Sequence, residues 1–151
     1  MDKLEVLKKS DLFHELTGAQ LRLIEKVCTE ETFEAGSILC KQGSKLGKVY
    51  IITNGLVGIV REVGPLYERQ IQSASNFESV GWSSVIEPHI CTATVKALKK
   101  TKVLAINAEK LRNLFTTMPE IGCKVYKAIA YVVAERLTHA FTQLLGVTSQ
   151  D

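Results

Sequence analysis

Val49-Tyr50-Ile51-Ile52-Thr53-Asn54-Gly55-Leu56-Val57-Gly58-Ile59-Val60 consists of two short apolar runs parted by Asn-Gly. The runs are rich in β-branched residues, and Asn-Gly supplies the positive φ angles of a tight turn. The stretch therefore predicts a two-strand hairpin. Working outward, Tyr67–Gln72 alternates around Ile71, and Thr92–Ala97 and Lys102–Ile106 are further strand-like runs. Glycines at 36, 43, 47, 55, 58, 64 and 81 cut the region at short intervals. Several short strands with regular turn signals suggest a sandwich or barrel, here a jelly-roll-like β-roll, or double-stranded β-helix, in an α+β, mainly β chain.

The flanks read as helical. Over residues 4–29, Leu12, Phe13, Leu16, Leu21, Ile24, Val27 and Cys28 recur at roughly helical spacing. Thr17 with Gln20 fits a capping box, which starts a helix at Gly18. Asn107 is placed to cap a helix through Leu111, Leu114 and Phe115, and Pro119 suits the first position of the next. That last helix, from about Glu120 to Leu145, carries two apolar stripes. Ile121, Val125, Ile129 and Val132 suit the β body, whereas Ala130, Val133, Leu137, Ala140 and Leu144 step by three and four as a short dimer seam. The expected domain is single, residues 1–151: N-terminal helices over about 1–29, β-roll 30–106, C-terminal helices 107–146.

At 151 residues the chain can build a full core without staples. A net charge of +3 is too small to argue for nucleic acid or an anionic membrane surface. Cys28, Cys40, Cys91 and Cys123 form no CxxC, so buried reduced thiols in a cytoplasmic protein are expected. No basic n-region with an apolar block is visible, nor a run of about 20 apolar residues. The sequence stops at Asp151 without room for a DNA-reading helix after the seam, so neither a nucleic-acid nor a membrane partner is expected.

The remaining chemistry gathers in Val80-Gly81-Trp82-Ser83-Ser84-Val85-Ile86-Glu87-Pro88-His89-Ile90-Cys91-Thr92-Ala93-Thr94-Val95. A glycine turn, one helical turn and a return strand make a cradle for a phosphate-like group, with Ser83 and Ser84 offering outward donors.

This order of elements resembles the cyclic-nucleotide-binding domain family. The resemblance runs from about Leu7 to Leu145 and rests on several motifs. They are Leu12-Phe13 with Leu16; Phe33-Glu34-Ala35-Gly36-Ser37-Ile38-Leu39; Gln42-Gly43; Tyr50 to Val57; Val103-Leu104-Ala105-Ile106; and Arg136-Leu137. It implies a regulatory sensor domain, not an enzyme, with the 80–95 stretch as its phosphate-binding cassette. Ligand contacts are then expected from Gly81, Trp82, Ser83, Ser84, Cys91 and Thr92, and a homodimer through the last helix. The implied ligand is a cyclic nucleotide or a related small molecule; no other cofactor and no metal is expected.

Two departures matter. The family's ribose-binding glutamate follows the glycine, where this chain has Trp82. Its phosphate-binding arginine precedes the Thr/Ser-Ala step, where this chain has Cys91. Charge-assisted hydrogen bonds contribute roughly 1.5–3 kcal/mol each, so losing both groups weakens a cyclic AMP site by several orders of magnitude. A standard high-affinity cyclic AMP site is therefore not expected. One alternative is a ligand-free dimeric scaffold with Trp82 filling the pocket. A less favoured one is a haem or metal sensor through His89 and Cys91, which share a side if their segment is extended. Catalysis finds no P-loop, no GxSxG and no HExxH, and His14, His89 and His139 fall in separate elements.

Overall fold

The computed structural model describes residues 2–146; residue 1 and residues 147–151 of the expected 1–151 domain lie outside them. Four helices and eight strands follow in the order α1 (Lys3–Lys9), α2 (Gly18–Glu25), β1 (Cys28–Phe33), β2 (Ile38–Cys40), β3 (Lys48–Asn54) and β4 (Leu56–Gly64). Next come β5 (Tyr67–Ser75), β6 (Ser79–Val80), a 3-10 turn (Trp82–Val85), β7 (Thr94–Ala97) and β8 (Thr101–Asn107). The chain closes with α3 (Ala108–Thr117) and α4 (Pro119–Leu144). The strands form two four-stranded antiparallel sheets, ordered β1-β8-β3-β6 and β2-β7-β4-β5, which is the expected mainly β roll.

Asn54-Gly55 does not close a hairpin, contrary to the expectation from its sequence. β3 pairs with β6 and β8, whereas β4 pairs with β5 and β7, so the two residues carry the chain from one sheet into the other. Side chains far away in sequence hold this corner. Gly55 N donates to Asn76 Oδ1 (2.9 Å), and Leu56 N donates to Thr101 Oγ1 (3.2 Å). Gly55 has φ +152°, and a Cβ there would lie 2.7 Å from Thr101 Cα. Only glycine fits both demands.

The N-terminal helical region is shorter than the periodicity predicts. α2 starts behind the expected capping box of Thr17 and Gln20, but β1 already begins at Cys28. Asn107 caps α3 through Lys110 N (2.9 Å), and Pro119 opens α4. The helices pack on one sheet to make a first core from Phe13, Ile24, Ile51, Leu104, Leu111, Ile121 and their neighbours. A second core lies inside the roll, where Cys40, Ala74, Cys91, Ala93, Ala97 and Ala105 sit among larger residues such as Tyr50, Ile52 and Val57.

The two stripes of α4 part as the periodicity predicts. Ile121, Val125, Ile129 and Val132 are buried. Ala130, Val133, Leu137, Ala140 and Leu144 are all exposed, together with Phe141 and Leu145. No helix among the described residues is long and apolar enough to cross a membrane.

Candidate functional site

The 80–95 segment folds against the mouth of the roll. Gly81 takes φ +83°, and a Cβ would meet Lys48 O and Leu46 Cδ2, each at 2.9 Å. A residue without Cβ is needed there. The 3-10 turn follows at once, with Ser84 N donating to Gly81 O (3.0 Å) and Ile86 N to Ser83 O (3.1 Å). Helical side chains secure it from behind: Arg112 Nη1 donates to Ser84 O (2.6 Å) and Tyr126 Oη to Val85 O (3.4 Å).

Five of the six expected contact residues line one cavity of about 320 Å³: Gly81, Trp82, Ser83, Cys91 and Thr92. Ser84 does not. It is fully buried, and its hydroxyl turns back to donate to Gly81 O (2.7 Å) instead of offering an outward donor. Trp82 does not fill the cavity: it lines one wall and also packs against the helical core. That volume lies at the small end of ligand pockets, which run from about 300 to 1,000 Å³.

Three polar or ionisable wall residues escaped the sequence reading as site residues: Cys40, Gln72 and Arg136. Among the described residues lining the cavity, Arg136 alone carries a charge. Its Nη2 donates to Ser79 O (2.6 Å), while its backbone carbonyl accepts from Gln72 Nε2 (2.9 Å). Burial lowers the Arg136 pKa from its ordinary value, and nearby Asp11 and Glu78 oppose that shift. A signal for it existed, since Arg136 sits one turn beyond Val132 and continues the buried stripe of α4 with a cation.

His89 belongs elsewhere. Its φ of +64° breaks any extended run, and it lines a separate surface cavity with Lys45, Asn107 and Arg112. His89 and Cys91 therefore do not face one site, and the haem or metal reading through that pair fails. The cysteines are not uniformly buried either: Cys123 is exposed on α4. A larger polar cavity of about 540 Å³ shares Gln72 and Arg136 with the first and includes Asp11, Glu78 and Glu135, but no cassette residue.

The model of the cyclic nucleotide-binding domain matches residues 30–118, well over half of the chain. A curated protein described as a potassium channel protein, from Rhodopseudomonas palustris, is 26% identical over 135 residues, which cover 89% of this chain and 32% of that protein. The chain thus spans about a third of the length of that relative. A solved structure described as a cyclic nucleotide-binding protein from Geobacter metallireducens superposes with a TM-score of 0.80 at 27% identity, covering 91% of this chain and 99% of the other. The catabolite activator protein of Thermus thermophilus superposes with a TM-score of 0.72 at 25% identity, covering 89% and 62%. With roll, cassette and closing helix arranged as described, the chain belongs to the cyclic nucleotide-binding domain family.

Proposed function

We propose that this domain is a cytoplasmic regulatory sensor without catalytic activity, which takes a small ligand into the roll and transmits occupancy through α4 to a second copy. The observation that carries this reading is the open cavity of about 320 Å³ bordered by Gly81, Trp82, Ser83, Cys91 and Thr92. A pure scaffold has no need of that space. Trp82 and Cys91 replace the carboxylate and guanidinium that would grip ribose and phosphate, so the ligand is not cyclic AMP at ordinary high affinity. The flat indole suits a stacking partner.

Pairing of α4 with its copy is supported by the exposed seam, where Val133, Leu137 and Leu144 are 36%, 51% and 83% exposed. Sedimentation equilibrium tests it: the wild type should be a dimer and Leu137→Asp a monomer. A monomeric wild type removes the dimer.

The ligand test uses Trp82, the single tryptophan of the chain. Its fluorescence and the Tm would be followed against cyclic AMP, cyclic GMP and related purine metabolites. No saturation by cyclic AMP in the micromolar range is expected, with a saturable change for at least one compound. Silence from every compound up to millimolar concentration favours the scaffold.

A further inference from the structure

Two of the four cysteines meet inside the roll. Cys40 ends β2, and the chain then folds tightly back, with Ser44 N donating to Lys41 O (3.0 Å). Two backbone bonds clamp this turn to the segment after the cassette: Cys91 N to Ser44 O (2.9 Å) and Gly43 N to Cys91 O (2.9 Å). Both thiols consequently open onto the same cavity. They are close enough for Cys91 to oppose ionisation of Cys40. Burial first, then the adjacent Cys91 thiol, push the Cys40 thiol above its usual range. Tyr50 is raised to about 12 by burial, then Glu31, then these same two thiols.

Neither sulfur has a strong partner among the described residues. Cys40 Sγ lies 3.8 Å from Ala93 O, and Cys91 Sγ lies 4.0 Å from Ser44 Oγ. Around them the wall is aliphatic, with Ile59, Val80, Ala93 and Val95. A hard, hydrated cation finds no cage of oxygen ligands in such a setting, whereas paired sulfur suits a soft ion. Among the described residues no group of three or more His, Cys, Asp or Glu could hold a metal, so an ion here must accept two protein ligands.

We propose that Cys40 and Cys91 form a buried two-thiolate site for a soft monovalent d10 ion, namely cuprous copper. Binding exchanges two S–H bonds for two Cu–S bonds, Cu⁺ + 2 RSH → [Cu(SR)₂]⁻ + 2 H⁺. The copper keeps its oxidation state, and both protons leave to solvent. The complex carries one negative charge, and Arg136 is the one cation lining the same cavity among the described residues. An ion so held ties the end of β2 to the segment behind the cassette and takes space from any organic ligand. The site stands whether or not the cavity also takes a nucleotide.

Cys28 and Cys123 are internal controls, since Cys28 belongs to the other core and Cys123 is exposed on α4. Anaerobic titration of the full chain with Cu(I), against a chromophoric Cu(I) chelator, should give one tightly held copper per chain. A Cys28→Ser/Cys123→Ser double variant should match the wild type, while Cys91→Ser and Cys40→Ser should each lose about 100-fold or more in affinity. X-ray absorption at the copper edge of the wild-type complex, which needs no variant to fold, should find two sulfur scatterers and no nitrogen or oxygen. Unchanged affinity in the folded Cys91→Ser protein overturns the proposal, as does loss in the control variant or a nitrogen or oxygen shell.

Discussion

The two cores of this domain are built differently. Between the helices and the first sheet lie Leu7, Leu12, Phe13, Ile24, Ile51, Leu104, Leu111 and Ile121, each at most 2% exposed. Inside the roll, four of the buried residues are alanines, at 74, 93, 97 and 105, and two are cysteines. Large branched and aromatic side chains fill the first space. In the second, short side chains alternate with Tyr50, Ile52 and Ile59, and about 320 Å³ stays unfilled. Close packing stabilises a domain in proportion to the atoms in contact, and a binding cavity forgoes part of that. The helical core is what lets the roll stay open.

Four measurements bear on this contrast. Phe13→Ala removes a fully buried ring from the filled core and should lower unfolding free energy by about 3–5 kcal/mol in denaturant titration. A loss under about 1 kcal/mol would mean the filled core is not the supporting one. Gly55→Ala, at the corner where the chain passes between sheets, should cost about 2–3 kcal/mol, because the new Cβ meets the Thr101 backbone at an unfavourable φ. Ala93→Val adds two methyl groups beside the open space and should cost less than about 1 kcal/mol, while weakening whatever the roll binds. A full overpacking penalty there would show that the roll is as tightly packed as its neighbour.

The smallest effect belongs to Asp11, at the border of the two regions. Its Oδ2 accepts from Ser79 N (3.1 Å), but Oδ1 is buried without a partner among the described residues. Burial raises its pKa above the ordinary 3.8, against the lowering influence of Ser79 and Arg136. A carboxyl with a raised folded-state pKa opposes folding while ionised. That cost fades as pH falls through the folded value and is gone below 3.8. Asp11→Asn should therefore gain up to about 1 kcal/mol at neutral pH and flatten the acid limb of the stability profile. A loss at pH 7 would mean the charge is favourable where it sits.

Much of this architecture was legible because it is periodic. The two stripes of α4 follow from spacing alone, and each residue of the first is buried and each of the second exposed, as the spacing requires. The corner at Asn54-Gly55 was not legible. A turn signal reports local backbone preference, while Asn76 and Thr101, far along the chain, decide which strands pair. In the cassette, the family resemblance put forward Gly81, Trp82, Ser83, Cys91 and Thr92, all of which line the cavity. Ser84 failed because a 3-10 turn gives its hydroxyl an acceptor three residues back. Cys40 and Arg136 arrive from distant elements, and no local pattern announces a partner supplied across space.

The last turns of α4 have mechanical meaning. Buried packing ends at Val132, and Arg136 is the last side chain of the helix hydrogen-bonded to the roll among the described residues. Beyond it the helix projects to Leu144, about 12 Å at 1.5 Å per residue. A tilt of about 10° at Arg136 swings that tip by about 2 Å, a sizeable share of one 5.4 Å turn. The fulcrum sits on the cavity wall, so a small displacement of one guanidinium is geared up at the far end of the rod.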